Sequence, residues 1–257
     1  MKILRDTWLI FQRSVGITLH NPAWILIGAF QPLLFLVLFG PLLKPLAGTR
    51  GFPSGGAFNV FVPGLLVQTA LFGTAFVGFG LIAEVRYGVI ERMRVTPVNR
   101  VALLLGRALR DILVLLIQST LLTLAAIPFG LRLNGLGMLV VVGLLVLMGL
   151  LMVCLSYAAG LWLRSEDALA PLVNTLTMPL LLLSGILLPL SLAPDWLRVL
   201  ARANPLSYTV DAARALFNEH FTDVSIPQAL GILTVLALLA VVGTSRFVSR
   251  TTGLSRE

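Results

Sequence analysis

Six stretches of this chain run without a charged side chain, or nearly so, for long enough to cross a bilayer: near residues 22–43, 58–82, 110–130, 136–162, 169–190 and 228–245. A helix needs about 20 apolar residues to traverse a hydrocarbon layer of roughly 30 Å, and a segment at that depth must satisfy its own backbone hydrogen bonds. Helices meet both demands. Composition leaves no soluble alternative: 58% of the 257 residues are hydrophobic, 12% are charged, and the mean hydropathy is +0.97. That is too little polar side chain to cover a water-exposed globule. The expected fold is an all-α membrane protein with six transmembrane helices, residues 1–257 forming a single transmembrane domain.

An even number of spans puts both termini on one side. Placing them in the cytoplasm assigns 13 of the 19 Lys and Arg residues to the inside and 6 to the outside, which the positive-inside rule favours. The basic balance is therefore read as orientation rather than as a nucleic-acid surface. The protein is expected in the cell (inner or plasma) membrane as a multi-pass protein. Arg5, Asp6, Gln12 and Arg13 break any signal-peptide core, so the N-terminus is taken as mature. Within residues 1–20, Leu4, Trp8, Phe11 and Val15 recur at helical spacing while the basic residues fall largely elsewhere. This pattern predicts an interfacial helix lying at the headgroups.

Two segments between spans carry more than a turn requires. Residues 84–110 and the adjoining Asp111 hold Glu84, Arg86, Glu91, Arg92, Arg94, Arg100, Arg107 and Arg110, alternating in part with Val89, Ile90, Met93 and Val95 as a docking helix would. Thr96-Pro97 is a helix-start signal, placing the origin of the third helix inside the cytoplasm. On the outer side, residues 191–227 contain Pro194-Asp195-Trp196-Leu197-Arg198-Val199-Leu200 and a second start at Asn204-Pro205. The stretch is too apolar for a free loop and too interrupted by Pro189, Pro194 and Pro205 for another span. Two short extracellular re-entrant helices are expected, with Asp211 and Arg214 close enough in sequence to pair. Leu183-Ser184-Gly185 is taken as helix packing inside span five.

Several chemistries are excluded. Lys2 and Lys44 are the only lysines and neither follows a phosphate-binding glycine pattern, so the chain has no ATPase motif of its own. Cys154 stands alone, and His20 and His220 fall on opposite sides, so no metal site or catalytic residue is expected. The central parts of the spans contain no Asp, Glu, His, Lys or Arg, and therefore no proton relay. Energy must enter elsewhere: sodium coupling through backbone carbonyls stays open, and force from a soluble motor acting on the charged cytoplasmic platform is the simpler route. The alternative is a secondary carrier or channel acting without an ATPase partner.

Glu91-Arg92-Met93-Arg94-Val95-Thr96-Pro97, with Arg100 and Gly106-Arg107, resembles the cytoplasmic loop of type-2 ABC exporter permeases (the ABC-2 family), particularly the daunorubicin-resistance branch. Asn204-Pro205-Leu206-Ser207-Tyr208, with Asp211 and Arg214 beyond, is similar to that family's segment before its last span. The resemblance implies a homodimer carrying two copies of an ABC ATP-binding subunit, with ATP and Mg bound by that partner and no cofactor in this chain. It implies that Tyr87, Gly88, Ile90, Glu91, Arg92, Met93 and Arg94, with Thr96, Pro97 and Arg100, form the coupling helix and its flank. The function so implied is an ATP-driven exporter of an amphiphile such as a drug, lipid or lipid-linked glycan. The expected pathway is lined by Gln31 and Phe35 of span one, by Phe61, Leu65, Gln68, Phe72 and Phe79 of span two, and by Asn174, Thr177 and Met178 of span five. An uncharged aromatic and amide lining suits such cargo.

Overall fold

The computed structural model describes residues 2–20, 23–43, 45, 56–88, 100–187 and 189–251, and all regular structure among them is helical. In chain order the helices are α1 (Lys2–His20), α2 (Ala23–Leu43), α3 (Ala57–Ala75), α4 (Gly78–Arg86), α5 (Arg100–Ala126), α6 (Gly135–Leu163), α7 (Glu166–Leu182), α8 (Asp195–Ala201), α9 (Pro205–Phe217) and α10 (Ser225–Thr251). Among the described residues, five segments are long and apolar enough to cross a membrane: Ile25–Leu43, Ala57–Arg86, Val101–Phe129, Gly135–Leu163 and Ser225–Phe247. Their ends follow local chemistry. The Asn134 side chain accepts hydrogen bonds from the N–H groups of Leu136 and Gly137 to start α6. Pro128 and the left-handed Gly130 (φ 102°) close the turn after α5.

The expected span at 169–190 is not among these five: the helix found there, α7, has 17 residues and is about 26 Å long. It stops eight residues before the expected end. Leu183-Ser184-Gly185 forms the turn that follows, a correction to its reading as helix: Gly185 adopts φ 74° and the Ser184 hydroxyl accepts the Ile186 N–H at 3.2 Å. The span expected over 58–82 is likewise two helices, α3 and α4, separated by a turn at Phe76-Val77. Ser156 of α6 bridges that break. Its hydroxyl donates to the Ala75 carbonyl at 2.6 Å and accepts the Gly78 N–H at 2.9 Å, satisfying two backbone groups the helix cannot.

The segment containing α3 and α4 is the centre of the chain's helix bundle, with 67% of its most apolar stretch buried, against 28% for α2 and 22% for α10. α3 touches α2, α5, α6, α7 and α9. α10 packs along α6, where Ala229, Leu233, Ala237 and Ala240 form its buried stripe, small residues that let two backbones approach in a membrane. α1 lies along α5. Thr7 and Ile10 are its buried residues, while Leu4 and Trp8 stand exposed.

Candidate functional site

At the end of the bundle from which residues 89–99 depart, charges are concentrated between helices. Glu84 on α4 pairs with the buried Arg107 on α5. On α5, Arg110 approaches its neighbour Asp111 at 3.0 Å, and the buried Asp111 accepts the hydroxyl of Tyr157 on α6. Arg86 on α4 reaches Glu166 on α7 at 3.6 Å, both side chains largely exposed. Four helices are thus tied around one point, and separating a buried partner costs about 3–5 kcal/mol because the other charge is left in an apolar site. Gly106, beside Arg107, brings α1 into the same assembly: a Cβ there would lie 2.8 Å from the Thr7 carbonyl oxygen and from Ile10. The Gly106-Arg107 pair therefore seats α1 on one side and fixes α4 on the other.

Of the expected coupling residues, Tyr87 is 74% exposed and donates its N–H to the Ala83 carbonyl at 2.9 Å, and Gly88 adopts φ 66°. Ile90, Glu91, Arg92, Met93, Arg94, Thr96 and Pro97 lie outside the described residues, as does the Arg100 side chain. Sequence reasoning counted Glu84 and Asp111 only as loop charges, took Arg107 as part of the loop motif without its partner, and passed over Tyr157. The available signal was Ser156-Tyr157, two hydrogen-bonding residues inside an otherwise apolar run.

The opposite end is organised by Asn204, Asn59 and Arg214. Asn204 accepts the Leu206 N–H at 3.0 Å, capping α9, and donates to the Leu180 carbonyl of α7 at 2.8 Å. Pro205 occupies the first helical turn, and Tyr208 donates its hydroxyl to the Arg202 carbonyl at 3.0 Å. Asn59 of α3 donates to the Phe217 carbonyl at 3.2 Å and accepts the Arg132 N–H at 3.1 Å. Arg214 is buried and donates to the carbonyls of Val60 at 2.9 Å and Gly185 at 2.7 Å; Asp211 stands 3.9 Å away. Burial pulls the guanidinium pKa down to about 10, against the opposing pull of Asp211. A cavity of about 290 Å³ opens here, lined in part by Asp211, Arg214, Asn218, His220 and Asp223. The Ser225 N–H, donating to the Asp223 carboxyl at 2.8 Å, with the Ser225 hydroxyl nearby, holds that carboxyl below its ordinary range.

The expected pathway residues divide between interior and surface. Phe61, Leu65, Gln68 and Thr177 are buried in the protomer, Phe35, Phe72 and Phe79 are half-buried, and Gln31, Asn174 and Met178 are exposed. The structure brings Phe79 onto Phe76, with ring centroids 5.9 Å apart, and Phe35 onto Phe39 at 5.4 Å. α2 and α7, which carry the exposed amides, make no extensive contact with each other.

Residues 5–218 match the family described as ABC-2 type transporter. The chain is 29% identical over 250 residues to the putative transport permease ycf38 of Cyanophora paradoxa, covering 92% of this chain and 86% of that protein. Over 235 residues it is 27% identical to the daunorubicin resistance ABC transporter permease protein DrrB1 of Streptomyces coeruleorubidus, covering 86% and 79% respectively. The probable doxorubicin resistance ABC transporter permease protein DrrC of Mycobacterium tuberculosis (strain ATCC 25618 / H37Rv) is 25% identical over 185 residues, 71% of this chain and 66% of that protein.

Proposed function

The chain belongs to the ABC-2 type transporter family, and from that premise we propose that it is the permease of an ATP-driven exporter moving an amphiphile (a drug, lipid or lipid-linked glycan) out of the cytoplasm or inner leaflet. Two copies would form the membrane unit, each engaging one ATP-binding subunit that holds ATP and Mg. Both termini and residues 89–99 would face the cytoplasm. The observation that supports this most directly is the charge assembly at the base of α4 and α5. The two helices flanking residues 89–99 are joined to each other by Glu84–Arg107, to α6 by Asp111–Tyr157 and to α1 through Gly106. A push on the loop between them would move these elements together rather than bend one helix. Gln31 and Asn174, amides on otherwise apolar exposed faces, are costly against lipid and suit a polar seam between two protomers or a substrate path along it.

The test is transport in proteoliposomes containing this chain and its ATP-binding partner. Export should require ATP, survive collapse of the proton gradient, and stop when the partner's phosphate-binding lysine is replaced. Transport without ATP that follows an imposed pH or sodium gradient would establish a secondary carrier instead.

A further inference from the structure

Arg86 ends α4 and Arg164 caps α6, and together with Ile82, Val85 and Gly160 they line one cleft of about 180 Å³. Arg164 holds a left-handed backbone (φ 51°) at a helix end where glycine is the usual occupant. Its N–H satisfies the Gly160 carbonyl at 2.9 Å, a bond glycine would make with less strain. An arginine at a helix C-terminus also complements the helix dipole. That role needs neither a strained backbone nor a second arginine facing the same cleft. Glu166 lies 3.6 Å from Arg86, and none of the residues lining the cleft itself is acidic. The cleft wall below the arginines is apolar, and Trp162, at the same level of α6, is 70% exposed, a residue type found at the headgroup level.

We propose that this cleft binds the phosphate of an anionic phospholipid, the two guanidinium groups gripping the phosphate oxygens while Ile82 and Val85 meet the start of an acyl chain. Guanidinium groups match phosphate oxygens in charge and in fork geometry, and basic pockets between spanning helices on the cytoplasmic side suit lipid headgroups. The proposal rests on the orientation given above, which makes this the inner leaflet. The same chemistry could recognise soluble phosphate, so the test separates the two sources.

Native mass spectrometry of the purified full chain in neutral detergent reads binding without transport or ATP hydrolysis, so its outcome is independent of the exporter assignment. Titration with phosphatidylglycerol should show one lipid per chain retained about tenfold more tightly than phosphatidylcholine. Arg164→Gly should weaken phosphatidylglycerol by a similar factor without lowering the melting temperature in lipid-free detergent, because it relieves the left-handed strain. Arg86→Gln should weaken it likewise, and Glu166→Gln should tighten it. Equal retention of both lipids by the native chain, or equal phosphatidylglycerol binding by the native chain and Arg164→Gly, would overturn the site. Displacement of the lipid by inorganic phosphate at comparable concentration would overturn the lipid as its ligand.

Discussion

Arg214 directs its guanidinium at backbone carbonyls of two other elements, with Asp211 only at the edge of ion-pair distance. Its replacement by Gln should destabilise the protein by roughly 3 kcal/mol or more, since charged hydrogen bonds are lost and buried carbonyls orphaned. Arg214→Lys should recover little, because an ammonium lacks the fork that reaches Val60 and Gly185 together. Thermal unfolding in detergent measures both. The sequence offered only the three-residue spacing to Asp211; the true partners are 154 and 29 residues away, and no local pattern announces them. Asp223 is the simpler case. Its carboxyl is held below the ordinary range by Ser225, so its contribution is complete above the unfolded-state pKa and is lost as pH falls through the lower folded value. Asp223→Asn should lower the melting temperature at neutral pH, and the difference should shrink below about pH 4. A difference that grows on acidification would contradict this.

Element boundaries were legible where capping chemistry is local. The helix expected from Pro194 is found at Asp195–Ala201, and Asn204-Pro205 starts α9 as its sequence implies. The break between α3 and α4 was not legible, because the hydroxyl that bridges it belongs to Ser156, 78 residues beyond Gly78. Ser156→Ala should cost about 1–3 kcal/mol, leaving buried backbone groups at Ala75 and Gly78 unpaired, and should appear as a lowered melting temperature with unchanged helix content. At the neighbouring interface, Gly106→Leu should lever α1 off α5, since its side chain would occupy the space of Ile10. With Cys154 replaced by Ala, a cysteine at position 10 should be protected from maleimide in the native background and labelled rapidly with Gly106→Leu. Equal labelling rates would show that α1 is not seated there.

For the molecule as a whole, apolar run length matched five segments long enough to span and overextended the one at 169–190, where α7 stops at Leu182, and which of the five the others surround depends on contacts far apart in sequence. Phe61, Leu65 and Gln68 make one stripe on a helix and are all interior, whereas Gln31 and Asn174 lie on outer faces of helices that make no extensive contact with each other. Cysteines at 31 and 174, with Cys154 absent, should therefore cross-link two chains into a dimer; failure to cross-link would place those faces in lipid. The proposed orientation is checked at exposed Asp195. A cysteine at 195 should react in intact cells and one at 91 only after permeabilisation. The central place of α3 also imposes an order on biosynthesis. Asn59 emerges early, yet the carbonyl it binds belongs to Phe217, 158 residues later. At roughly 5–20 residues per second, ribosomes need about 8–32 s to make that stretch. Throughout that interval the most enclosed helix of the finished protein has no α9 to close over it, and the nascent chain must shelter its amide in the insertion machinery or in water at the bilayer edge.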